Sequence, residues 1–146
     1  MIIFLDIDGV LHPEPCSRPE LRLCELPRLE RVLRDFPQAQ VVISSTWRDT
    51  RTLADLQRLF SADVAGQVIG TTPHWRDLEQ VVYSAPRQTE VEAWLKENCS
   101  PWARFAVLDD RAWLFSPFYA PLLKCDPATG MDDQVEKLLR ARLKAG

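Results

Sequence analysis

Apolar residues in this chain gather in short unbroken runs separated by longer amphipathic stretches. Ile2-Ile3-Phe4-Leu5 is such a run closed by Asp6, which predicts a strand over residues 2–6 buried on both faces and delivering Asp6 to its carboxyl end. Leu26, Leu29, Val32, Leu33 and Phe36 recur at helical spacing, with Pro27 near the start and Pro37 just past the end, so residues 26–36 are predicted helical. Val41-Val42-Ile43 predicts a second buried strand, closing at Ser44-Ser45-Thr46. A helix over residues 52–60 follows from Leu53, Leu56, Leu59 and Phe60, and a short strand from residues 67–70. Residues 71–86 show no period and read as an irregular connection. Val91, Trp94 and Leu95 predict a helix over residues 89–98. Phe105-Ala106-Val107-Leu108 repeats the first pattern and delivers Asp109 and Asp110, residues 122–126 predict a fifth strand, and residues 132–144 a closing helix.

Strands alternating with helices imply an α/β fold, a three-layer Rossmann-like parallel sheet of about five strands with helices on both faces. The 146 residues suit one domain, expected to span 1–146. With 46% hydrophobic and 27% charged residues, disorder and fibrous folds are not indicated. A net charge of −3 argues against a polybasic surface that holds nucleic acid by counterion release alone. The first apolar run is too short for a membrane span and lacks the basic flank of a signal peptide, so a cytoplasmic location is expected. Cys16, Cys24, Cys99 and Cys125 show no CxxC spacing and no accompanying His pair, so they read as free thiols.

Asp6 and Asp8 follow the first strand, Ser44 to Thr46 the second, and Asp109 with Asp110 the fourth. In a parallel sheet these ends share one edge. Carboxylates gathered there repel one another unless a hard cation sits among them, and oxygen ligands suit Mg2+. One carboxylate is then able to attack a phosphoryl group, while a second, two residues on, moves the proton. A hydroxyl and backbone N–H groups after the second strand would hold the nonbridging oxygens.

Asp6-Ile7-Asp8-Gly9-Val10 resembles the first motif of the haloacid dehalogenase-like (HAD) phosphatase superfamily, and the later motifs follow in that family's order. Val42-Ile43-Ser44-Ser45 is similar to the second motif, and Leu108-Asp109-Asp110 to the fourth. Arg87, in Pro86-Arg87-Gln88-Thr89-Glu90, stands where the third places a Lys or Arg, Arg being the less usual choice. The resemblance makes Asp6 the nucleophile and a metal ligand, and Asp8 the general acid/base, whose backbone carbonyl also binds metal. It makes Ser45 the hydrogen-bond donor to the phosphate, preferred to Ser44 because the family's Ser ends the apolar run. Arg87 would neutralise phosphoryl charge, Asp109 would ligate Mg2+ directly, and Asp110 would support it or bind through water. A narrower likeness, carried by residues 5–13, 44–48 and 126–131, is to small bacterial HAD domains, relatives of which occur fused within multidomain RNA-repair proteins. It points to an RNA or DNA end as substrate.

Several residues keep two readings. Arg48, grouped with Ser45, Thr46 and Arg87 as phosphate-binding, is equally an ion-pair partner. Trp47 either stacks on a base or packs in the core. His12 is near enough to the first motif to meet substrate, whereas His74 reads as surface. Asp126 is either an outer neighbour of the metal or a turn cap. Neither residues 9–40 nor residues 47–86 leave room for a large cap beyond the core's own elements, so an open site and a bulky substrate are expected. Rival readings are a phosphorylation receiver, a catalytically silent HAD-like binding module, and a small-molecule phosphatase or phosphotransferase. Motif order disfavours the first, and retention of both Asp6 and Asp8 the second.

Overall fold

The structure, a computed structural model, describes residues 1–146. Its strands are β1 (Ile2–Leu5), β2 (Gln40–Ile43), β3 (Val68–Thr71), β4 (Phe105–Asp109) and β5 (Leu122–Lys124). They form one parallel sheet in the order β3-β2-β1-β4-β5. The α/β, Rossmann-like architecture expected from the alternation is therefore present, with β1 at the centre, flanked by β2 and β4.

Alternation along each strand sorts side chains onto two faces. Ile3, Leu5, Val41, Ile43, Ala106 and Leu108 enter the larger core cluster. It is covered by α1 (Leu26–Asp35), α2 (Leu53–Gln57), α3 (Ala62–Ala65) and α5 (Asp133–Lys144). Ile2, Phe4, Val42 and Val107 meet Val91 and Trp94 of α4 (Pro86–Asn98) on the opposite face. Both faces of β1 are thus dry, which is why its four residues form an unbroken apolar run.

Three expected boundaries shift for local reasons. The helix predicted over 52–60 stops at Gln57 and is followed by the separate turn α3. It starts cleanly because Thr52 and Asp55 form a capping box. Helix α4 begins three residues before its predicted start, with Pro86 in the first turn where a missing N–H costs nothing. Helix α5 begins at Asp133 with Asp132 as its N-cap, accepting from the Val135 N–H at 2.9 Å. The irregular stretch after β3 holds one 3-10 turn, Trp75–Asp77, and the segment between β1 and α1 holds another, Pro19–Leu21, rather than any cap domain.

Candidate active site

Parallel pairing in register brings the strand ends together. Leu5 pairs with Ile43 on one side and with Leu108 on the other, so the residues that follow lie side by side. The Asp6 N–H donates to the Leu108 carbonyl at 3.0 Å and the Ser44 N–H to the Leu5 carbonyl at 2.7 Å, extending the ladder into the site. The chain then turns sharply. Val10 and Leu11 N–H groups return to the Ile7 carbonyl at 3.1 and 2.9 Å, and Gly9 takes a φ of 79°. Gly9 is required twice, since that φ favours glycine and a Cβ there would collide with the Asp110 carboxylate.

Asp6, Asp109 and Asp110 form the floor. Each offers a carboxylate oxygen within 4.8 Å of the others, and all three are buried. Arg87 Nη1 lies 3.3 Å from Asp109 Oδ2 and 3.6 Å from Asp6 Oδ1, and also donates to the Ser44 carbonyl. The third-motif position, Arg87, thus faces Asp6. Burial pushes the Asp6 carboxyl well above the ordinary carboxylate range; the Asp109 charge adds to this and Arg87 opposes it. Burial likewise raises Asp109 to about 6, again against Arg87. A cation among these oxygens would reverse both shifts. The donor set fits a hard divalent cation: it is all oxygen, and Asp110 Oδ1 is buried without any hydrogen-bond partner.

Asp8 is set apart from this trio. Its Oδ1 lies 2.7 Å from His12 Nε2, and its Oδ2 accepts from Trp47 Nε1–H at 3.1 Å. The Leu23 N–H donates to His12 Nδ1 at 3.2 Å, so in the neutral ring the proton sits on Nε2 and points at Asp8. His12 is buried, and its ring is spent on the Asp8 carboxylate and the Leu23 backbone rather than turned outward to substrate. Trp47 is neither pure core nor a bare stacking surface: its edge holds Asp8, and its ring carries the guanidinium groups of Arg22 and Arg51.

The second-strand residues divide. Ser45 caps the 3-10 turn Thr46–Asp49, its Oγ accepting from the Trp47 N–H at 3.2 Å and keeping its own O–H free to donate. Ser44 Oγ is buried without a partner, while Thr46 is exposed. Arg48 lies largely buried, its Nη2 2.5 Å from Glu90 Oε2 and its Nη1 3.2 Å from Thr72 Oγ1. With Thr46, Arg87, Trp75 and Glu90 it lines a small cavity of about 100 Å³. Asp126 is exposed and accepts from the Ala128 N–H at 2.9 Å, a turn cap outside the carboxylate trio. His74 is half-buried at the start of the turn Trp75–Asp77, accepting from the Arg76 N–H at 3.1 Å.

Glu90 is the residue that sequence reasoning passed over. Almost fully buried, it accepts from Arg48, lies 3.4 Å from Arg87 Nε and takes the Trp75 N–H at 2.8 Å. Its signal was its position three residues after Arg87, one turn along the same helix face. All four cysteines are free, and no helix is long and apolar enough to cross a membrane.

No curated protein and no solved structure gives a significant match to the chain. A family model described as the HAD domain in Swiss Army Knife RNA repair proteins matches residues 2–135, nearly the whole length. The motif order, the parallel sheet and the carboxylate floor agree with that match, and the chain belongs to this HAD family.

Proposed function

We propose that residues 1–146 act as one magnesium-dependent phosphomonoesterase domain that forms an aspartyl-phosphate on Asp6. The observation that carries the reading is the placement of Asp6: buried beside Asp109 and Asp110, faced by Arg87, and two residues from a carboxylate held by two ring N–H groups. Asp6, Asp109 and Asp110 would hold Mg2+ with the Asp8 carbonyl, and the ion would supply the positive charge that lets a carboxylate approach a phosphate.

An Asp6 oxygen attacks phosphorus, the bond to the leaving oxygen breaks, and Asp8 gives that oxygen its proton. Asp8 then takes a proton from water, whose oxygen displaces Asp6 and releases inorganic phosphate. Ser45 and the N–H groups around Thr46 hold the nonbridging oxygens, and Arg87 balances their charge with Arg48 behind it. The family's link to RNA repair supports a phosphorylated RNA or DNA end as substrate. A reducing compartment such as the cytoplasm suits four free cysteines.

Purified protein with Mg2+ and p-nitrophenyl phosphate tests the reading directly. Asp6→Asn and Asp8→Asn are each expected to abolish turnover, and excess EDTA to do the same to the wild type. Equal phosphate release by wild type and Asp6→Asn would end the catalytic claim.

A further inference from the structure

The general acid fixes where a leaving group must lie, because the leaving oxygen has to reach the Asp8 carboxylate. Beside that carboxylate is an open cavity of about 450 Å³, lined by Asp8, His12, Glu14, Cys16, Arg22 and Trp47. Its volume falls in the range of small-ligand sites. Over the Trp47 ring, whose Nε1 edge holds Asp8, nothing in the phosphomonoesterase reading has a use for positive charge. Yet the Arg51 guanidinium lies 4.1 Å and that of Arg22 5.2 Å from the ring centroid.

Those two arginines, like Arg31, are committed to no carboxylate, and they are the pair that lies over Trp47. Arg18, Arg28, Arg48 and Arg58 each hold a carboxylate, on Glu20, Glu25, Glu90 and Asp55 respectively. Arg22 and Arg51 hold none, in a chain with more acidic than basic residues. Stacking on an indole orients a guanidinium plane while its N–H edge stays free, the arrangement that suits a phosphate fork. The indole itself is pinned by its bond to Asp8, so the pair is fixed relative to the acid. Besides Asp8, Glu14 brings one further carboxylate to the cavity.

We infer that Arg22 and Arg51, presented on Trp47, form a leaving-group subsite that grips the phosphodiester next to the scissile phosphate of a nucleic acid strand. This rests on the phosphomonoesterase reading for the direction of the leaving group. A small monophosphate has no group to place there; a strand has its next backbone phosphate. Base stacking on Trp47 is not the recognition element, because the ring already carries the guanidinium groups.

The test uses Arg22→Met, Arg51→Met and the double variant, which keep apolar cover on the indole and remove the charge. On 3′- and 5′-phosphorylated RNA and DNA hexamers, the double variant is expected to lose about tenfold or more in kcat/KM. On p-nitrophenyl phosphate it should stay within about twofold of wild type. Binding of the same hexamers to Asp6→Asn protein, followed by fluorescence anisotropy across a salt series, does not require turnover. There the slope of log Kd against log salt should fall by about 0.7 for each arginine removed. Equal losses on both substrate types, an unchanged salt slope, or a phosphopeptide processed better than the hexamers would overturn the subsite. Arginine-dependent binding without hydrolysis by wild type would instead overturn the phosphatase reading and leave Arg22 and Arg51 as a strand-gripping pair with no leaving-group role.

Discussion

The floor and the rim of this site hold their carboxylates by opposite means. At the floor, Asp6 and Asp109 are buried against Arg87, which in turn meets Glu90, which meets Arg48: charge is answered by charge, out of water. At the rim, Asp8 remains about one-third exposed, and its two oxygens are met by ring N–H groups of His12 and Trp47. The floor is therefore electrostatically stiff, and removing any member leaves a partner uncompensated in low dielectric. The rim fixes direction and leaves the carboxylate in reach of water, which suits the acid/base role proposed for it.

The sharpest way to break this contrast is at Glu90. Replacing it by Ala takes from Arg48 its close carboxylate, from Arg87 the partner of its Nε, and from the Trp75 N–H its acceptor. Losing one partner of a buried pair costs about 3–5 kcal/mol. For a chain of this size that lowers Tm by on the order of 10 °C, and turnover should collapse with it as Arg87 leaves its place. Glu90→Gln, which keeps an acceptor, should fall between. A Glu90→Ala protein melting within about 2 °C of wild type would show that the floor is not one charge network.

The second test is of the floor's own acidity. Asp109 is protonated more readily in the folded chain, at about 6, than at its ordinary value of 3.8. Between those values the folded state binds the extra proton, so the associated stability is complete below pH 3.8 and is lost as pH rises through about 6. For Asp109 this is on the order of 3 kcal/mol, and Asp6 acts in the same direction. A cation held by ionised carboxylates should win that stability back. Saturating Mg2+ is thus expected to raise Tm more near neutral pH than near pH 5, and Asp109→Asn to erase most of the difference. An Mg2+ response that is flat with pH would separate the trio from metal binding.

The same contrast explains what was legible in the chain. β1 and β4 were plain because burial on both faces writes an unbroken apolar run, and each run ends in the aspartate it positions. The floor's carboxylates and Arg87 followed from strand ends and motif order. The start of α4 was obscured because Arg87 and Glu90 occupy its inward stripe beside Val91 and Trp94, so the buried face reads as polar just where it enters the site. The rim was less legible still. His12 reaches Asp8 across a turn set by Gly9, and Trp47 reaches it from the 3-10 turn after β2; neither contact follows a helix or strand period. Asp126 could not be separated from the clustered aspartates by pattern, since turn caps and ligands after a strand use the same residue.

The smallest expected effect is the most specific to the rim. His12→Ala removes a donor from a part-exposed carboxylate, and kcat on p-nitrophenyl phosphate should fall about tenfold with KM little changed. Two further variants divide the residue's contacts. The side chain of His12→Gln is long enough to donate to Asp8 from its terminal amide, whereas that of His12→Asn is short and suits only the acceptor role toward the Leu23 N–H. If His12 positions the acid/base, Gln should recover most of kcat and Asn most of the lost thermal stability. A purely structural His12 would make kcat and Tm move together in both variants, and the rim would then be an extension of the core rather than a device for aiming Asp8.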